Sequence, residues 1–271
     1  MRIIFFRTRP LRYYKGEEKQ DPLPLLGGDY VKKYKSGGED YNFDAESLDN
    51  DNEICFGYVQ LDGSLHIERM SSDISDTDAE AQNVLVVWCA TMKNPDTDQN
   101  ILTVVGWYQH ATVYREYQTF DCLNRLQDYI CCAKKENCVL LPLAERYKEK
   151  WRVPTSKDKR GYAFGHASNW FANRANTKEH KQDLDQFIDN LKKSILEYDG
   201  ENWIDAAEPT EGIKFDTEGI KRRRKNLKIQ KKTTLTKPCD ENIDSMSQAT
   251  PISFVHIDPK KIKKPIIQKR I

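Results

Sequence analysis

The sequence predicts an α+β fold: a β-rich, barrel-like mixed sheet with one long helix near its end over residues 1–208, then a mostly disordered basic tail over 209–271. Three observations predict it. Short apolar runs bounded by Gly, Pro and Asp recur through the first two thirds of the chain, as strands do. A helical period of apolar residues is clear once, at about 178–198. After residue 208 the apolar periodicity stops and the charge changes sign: residues 211–271 hold 16 Lys and Arg against 7 Asp and Glu, whereas the remainder carries 27 against 35. An acidic body joined to a basic tail is the result, hidden under a net charge of +1.

The elements follow in order. Residues 2–7 read as a first strand that Pro10 closes. Residues 11–53 form a long Gly-, Asp-, Lys- and Tyr-rich connection broken at Gly27-Gly28 and Gly37-Gly38. Residues 54–60 read as a strand, Asp62-Gly63 as a hairpin turn, and residues 65–70 as its half-buried partner. The run 84–90 is continuously apolar, which predicts a central strand covered on both faces. Residues 102–108 are its neighbour, and 112–117 is a further β-rich run. Residues 129–133 and 138–141 pair around a Lys-Lys-Glu-Asn turn. Residues 143–162 are polar and basic, with Trp151 and Pro154 embedded. In the helix, Leu184, Phe187, Ile188, Leu191 and Ile195 fall on one face, with Thr177 as N-cap and Gly200 as the stop.

Several classes of chemistry find no support. No apolar stretch approaches the length of a membrane span, and the N-terminal apolar run is too short for a signal-peptide core. The expectation is a cytoplasmic protein without a membrane partner. The seven cysteines include no CxxC pair, so neither a zinc site nor any other cofactor is expected. The five histidines are scattered, and no GxSxG or GxxxxGK[ST] string occurs. Catalysis in this chain is therefore not the expectation. His256-Ile257-Asp258-Pro259 faintly resembles the end of an HNH nuclease hairpin, but the paired His and the Cys-rich knuckle are missing.

Three segments are candidates for nucleic-acid contact. Trp107, Tyr108 and Tyr114, with Arg115 beside the last, offer stacking faces for bases and a cation. The other reading, and the one the usual burial of aromatics favours, is that the rings are core with the Tyr hydroxyls capping it. Gly165, Ser168, Asn169 and Trp170 offer close backbone approach, base-edge partners and a wall, or else a capped turn with Trp170 packed on the sheet. Lys221, Arg222, Arg223, Arg224 and Lys225 form a run suited to phosphates, to an import signal, or to simple solvation.

One family resemblance joins these strings. The order of YNF at 41–43, CFGYVQ at 55–60, IERM at 67–70, VLVVWCAT at 84–91, VVGWYQHATVYREYQ at 104–118, VLLP at 139–142 and RGYAFGHASNWFA at 160–172 resembles a bacterial domain. That domain lies upstream of HNH endonucleases in restriction and phage-defence proteins and is similar to PUA/EVE-like modified-base readers. The resemblance implies a compact barrel-like sheet with an aromatic pocket that senses nucleic acid, DNA rather than RNA. Trp107, Tyr108, Tyr114, Gly165, Asn169 and Trp170 match its strings and stand as pocket walls. The basic tail occupies the place where the nuclease half begins, so either a cleaving activity sits on a separate nuclease subunit or the protein is a solitary sensor. An HNH-type remnant and an interaction scaffold with a basic tail are the alternative readings.

Overall fold

The structure, a computed structural model, describes residues 2–16, 21, 38–49, 52–121 and 126–206. The basic tail and its expected disorder, the 221–225 run and the His256 string lie outside the described residues. Strands β1 (Arg2–Thr8), β2 (Ala45–Asp49), β3 (Asn52–Gly57), β4 (Glu80–Lys93), β5 (Asn100–Asp121), β6 (Leu126–Lys134), β7 (Cys138–Leu140) and β8 (Asn169–Trp170) form one sheet. Its order is β2-β3-β6-β5-β4-β1-β8, with β7 paired to β5. Strands β1 and β4 run parallel, with Phe5 opposite Val87; the other ladders are antiparallel, so the sheet is mixed as expected. It is open and not barrel-like. The path ends at β2 on one side and at the two-residue β8 on the other, and a barrel needs those ends to pair.

Among the described residues two α-helices accompany the sheet: a single turn after β7, α1 (Leu143–Arg146), and the long α2 (Lys178–Leu196). Alternation across the central strands divides the core in two. Phe5, Val87 and Trp107 face α2 through its buried Leu184, Ile188, Leu191 and Ile195. Phe6, Trp88 and Tyr108, their sequence neighbours, face the opposite layer of Phe43, Phe56, Leu65 and Ile67. Successive side chains of a strand point to opposite faces, so each pair of neighbours feeds both layers. The long helix is N-capped as the sequence suggests: Thr177 Oγ1 accepts the His180 N–H at 3.2 Å. It stops at Leu196, before Gly200.

Three local expectations are corrected. Residues 65–70 are not a strand: Ile67–Arg69 is a 3-10 turn, and β3 pairs with β2 and β6 instead. Leu65 and Ile67 are buried and Ser64 and His66 exposed, so the period-two pattern is real but arises without a ladder partner. The runs at 102–108 and 112–117 belong to one strand, β5, which passes through His110 at φ +51° opposite Asn83 at φ +54°. The two left-handed residues touch, His110 Nδ1 to Asn83 Oδ1 at 2.9 Å, where the β4–β5 register shifts. Finally, β7 pairs with β5 and not with β6. The Lys135–Asn137 turn carries it there, and the Asn202 side chain serves as a ladder rung on β7 by accepting from Leu140 N–H and donating to Cys138 C=O.

The far end of the long early connection packs into the core. Tyr41, Asn42 and Phe43 are buried. The Asn42 side chain donates to Tyr58 C=O at 3.0 Å and accepts its N–H at 2.8 Å. Nearby, the Glu39 carboxylate, mostly buried, accepts from Arg9 N–H at 3.0 Å and Thr8 Oγ1 at 3.4 Å, beside the Arg9–Asp40 ion pair. Burial raises its pKa to about 7, with Asp40 adding to the rise and the Arg9 amide, Thr8 hydroxyl and Arg9 charge opposing it.

The sign of the pH effect follows. The folded chain holds this proton more tightly than the unfolded chain does. The stability it contributes is complete below about pH 4.5 and is lost as pH rises through about 7. A shift of that size is worth about 3 kcal/mol. Urea unfolding at pH 5 and pH 8 is expected to show Glu39→Gln gaining on the wild type by about this amount at the higher pH. Parallel pH profiles for the two proteins would place the titrating group elsewhere.

Candidate nucleic-acid interface

The first expected constellation does not converge. Trp107 and Tyr108, adjacent on β5, point to opposite layers, so they cannot wall one pocket. Trp107 is 1% exposed and stacks on Trp151 at 5.3 Å. Tyr108 is fully buried, edge-on to Phe43 and Trp88. Burial pushes its phenol well up, with the thiols of Cys55, Cys138, Cys131 and Cys132 acting in the same direction. Tyr114 is buried against Tyr129, its hydroxyl 3.7 Å from Cys132 Sγ. These three rings are core, and their assignment as base-stacking surfaces is corrected on that ground.

Arg115 is committed as well. It donates from Nε to Asp78 C=O at 2.7 Å, from Nη1 to Glu68 Oε2 at 2.7 Å and from Nη2 to Ser75 C=O at 3.0 Å. Desolvation acts to raise the Glu68 pKa, but hydrogen bonds from Arg115, its own backbone and His66 hold it at about 2. The guanidinium therefore ties the acidic 68–78 segment to β5, with all three of its nitrogens engaged inside the protein.

The second constellation stays near the surface. Ser168 accepts Arg7 N–H through its carbonyl at 2.8 Å, and Gly165 accepts Arg7 Nη2 at 2.6 Å. Asn169 and Trp170 form β8 against Phe6 and Phe5. Trp170 is half-buried in an aromatic row with Phe164, 5.9 Å away and stacked, and Phe187, 6.4 Å away and stacked. A Cβ on Gly165 would meet nothing within 4 Å, so the glycine is not demanded by packing.

Phe187 leads to the feature that sequence reasoning did not single out. It lines a shallow cavity of about 160 Å³ together with Lys150, Arg152 and Arg160, the acids Glu149 and Asp158, and Asn190 and Leu191. The cations come from the segment 148–160, which holds six Lys and Arg against two acids. This segment is braced on the sheet. Trp151 is buried between Trp107 and Tyr198, and its Nε1 donates to Glu145 at 3.1 Å. Thr103 Oγ1 donates to the carbonyls of Arg146 and Trp151, and Val153 N–H to Leu102 C=O. A capping box of Thr155 and Asp158 turns the chain, and Lys159 takes a left-handed φ of +52°. Gly161 follows at φ +75°, where a Cβ would lie 2.1 Å from the His180 ring, so only glycine fits.

Some of the cations are paired. Lys148 and Lys150 share Glu145, and Arg152 reaches Asp158 at 2.8 Å and Glu149 at 3.9 Å. Desolvation acts to raise the Glu145 pKa, but Lys148, Trp151 and Lys150 hold it at about 2. Lys157, Lys159 and Arg160 are exposed. The signal in the sequence was the local charge of 143–162. The aromatic partner was invisible there, because Phe187 reads as one more core residue of an amphipathic helix.

The chain matches no family model, no curated protein and no solved structure. No helix among the described residues is long and apolar enough to cross a membrane. The surface arrangement can supply phosphate contacts from the exposed Lys157, Lys159 and Arg160, beside the half-buried Phe187. Among the described residues no group of His, Cys, Asp and Glu is arranged to hold a metal ion.

Proposed function

We propose that the chain is a nucleic-acid binding module that holds the phosphate backbone with the braced loop 148–160. The observation that carries this reading is the excess of six cations over two acids in a rigid loop of an otherwise acidic body, beside the half-buried Phe187 and Trp170. Cations fixed on a sheet lose little conformational entropy when they meet a phosphate, and the counterions they release drive binding. The basic run at 221–225 adds charge of the same sign. A sensing role in restriction or defence, acting with a separate nuclease subunit, belongs to this proposal through the family resemblance. A modified base would then be read near Trp170 and Asn169 instead of by the rings of the core.

Titration of the full chain with labelled DNA and RNA at two salt concentrations tests it. Each phosphate contact contributes about 0.7–0.9 to the slope of log affinity against log salt. Replacing Arg152 and Arg160 together by Glu is expected to cut that slope by about 1.4–1.8 and to weaken binding at low salt. Absence of binding by the wild type at low salt would end the proposal. An unchanged slope in the double variant would remove this loop from it.

A further inference from the structure

We infer that the bound nucleic-acid backbone continues from the loop 148–160 across the β8 edge of the sheet, where Arg174 and Arg69 hold it at a second point. This rests on the nucleic-acid reading above and adds the path and the residues along it.

Partnered and unpartnered cations are sorted across the body. Among the described residues, the Lys and Arg side chains that make neither a hydrogen bond nor an ion pair are Arg69, Lys157, Lys159, Arg160, Arg174 and Lys178, all of them exposed. Every other described Lys and Arg has a partner. Arg2 and Lys93 sit on Asp73 and Asp98, Arg7 and Arg146 on carbonyls, and Arg12 over the Tyr13 ring. All the unpartnered cations but Arg69 fall within 157–178, and residues 159–178 contain no Asp or Glu. The acids that flank these positions in sequence are engaged where they precede them. Asp158 is held by Arg152 and Thr155, and Glu68 by Arg115 and His66. The exposed Glu179 and Asp183 come after the stretch, on the first turns of α2.

Folding draws this stretch into a closed loop on the sheet edge. Asn176 N–H donates to Gly161 C=O at 2.9 Å, so Arg160 and Lys178 flank the mouth of one loop. Its middle is laid on β1: Ser168 C=O accepts Arg7 N–H at 2.8 Å, and Asn169 and Trp170 pair with Phe6 and Phe5. Ala172, at φ +52°, then turns the chain, and Asn173 Nδ2 donates to Arg69 C=O at 2.7 Å. That bond brings Arg174 to Arg69 from the far side of the sequence. One cation group thus stands at the mouth and another at the turn, with β8 between them. On β8 and just before it, the Asn169 amide and the Ser168 hydroxyl have no hydrogen-bond partner among the described residues, and Trp170 is half-buried.

Like charges gathered without an acid among them repel one another, and a surface of one sign draws in ligands of the other. A small anion needs only one of the two groups. A polymer of phosphates can occupy both, and its bases then pass Ser168, Asn169 and Trp170. Contacts made here break no existing pair, whereas Arg152 and Lys150 are already held by Asp158 and Glu145.

Fluorescence anisotropy of the full chain with short labelled DNA, as duplex and as single strand, over a series of salt concentrations tests the path. Arg69→Gln with Arg174→Gln is expected to lower the slope of log affinity against log salt by about 1.4–1.8, the share of two phosphate contacts. Lys at both positions is expected to restore it. Lys93→Gln with Lys193→Gln changes the net charge equally but removes cations paired with Asp98 and Glu197, and is expected to leave the slope as it is. Thermal melts should match the wild type, because neither Arg69 nor Arg174 uses its side chain in the fold. An unchanged slope in the Arg69 and Arg174 variant, or an equal drop in both Gln variants, overturns the inference while nucleic-acid binding stands. Failure of the wild type to bind at low salt brings down the function itself.

Discussion

Gly106→Ala is expected to destabilise the fold by about 3 kcal/mol, at the upper end of overpacking effects. The reason is where β7 crosses. A Cβ at residue 106 would lie 2.3 Å from the Val139 carbonyl oxygen and 2.6 Å from the Phe43 ring. Neither neighbour can give way cheaply. The Val139 oxygen belongs to backbone held by Leu141 N–H on Val105 C=O at 2.9 Å, and Phe43 is fully buried against Tyr108. The displaced segment leads directly into α1 and the Trp151 anchor, so the basic loop is expected to loosen along with the core. Urea unfolding of Gly106→Ala and Gly165→Ala side by side checks the assignment. At Gly165 an added methyl would meet nothing within 4 Å, so that variant should change stability by no more than about 0.5 kcal/mol. Similar midpoints for the two variants would mean that β7 does not approach Gly106 as closely as described.

The same glycine shows what the sequence made legible and what it did not. Continuous apolar runs announce strands, and the run 84–90 stands as a central strand for the reason given by its composition. Partner choice is a different matter. Residues 65–70 and Cys138–Leu140 both have strand-like patterns, yet the first becomes a turn and the second joins β5, because a ladder depends on which edge is open after the rest of the sheet has formed. Sheet closure was hidden for a related reason: it depends on the lengths of β2 and β8, and a two-residue strand leaves almost no pattern.

The aromatic string at 107–114 misled for a reason that elementary geometry supplies. Tyr108 follows Trp107 directly, so in a strand they part to opposite layers. A pocket read from strand residues needs rings two apart. Gly106, which suggests close approach of a ligand, admits the Val139 backbone instead. Ser168, Asn169 and Trp170 stay partly exposed because they lie at the sheet's edge, where β8 pairs only with Phe5 and Phe6. What sequence could not supply was the meeting of Phe187 with Arg152 and Arg160, which are brought together by the return of α2 across the sheet.

Arg146→Met is expected to cost about 4 kcal/mol, close to the sum that three charge-assisted hydrogen bonds support once the cost of desolvating the cation is set against them. Arg146 is fully buried, yet among the described residues it faces no carboxylate at hydrogen-bonding distance. Its fork donates from Nε to Leu141 C=O at 2.7 Å, from Nη1 to Leu11 C=O at 2.6 Å and from Nη2 to Arg12 C=O at 2.8 Å. Burial lowers its pKa, while Tyr14, Tyr147 and Asp21 act to raise it. One side chain thus joins the segment after β1 to the segment after β7, two stretches that share no ladder. Met fills much of the volume but leaves three carbonyls without their donor in a dry site. Lys should rescue little, because an ammonium on a flexible stem cannot span three acceptors held in the plane of a guanidinium. Hydrogen exchange separates this account from a general loss of packing. Amides of residues 11–14 and 141–146 should lose protection in Arg146→Lys before those of β4 and β5 do. Uniform loss across the sheet, or a Met variant within about 1 kcal/mol of wild type, would show that the three carbonyls do not depend on this residue.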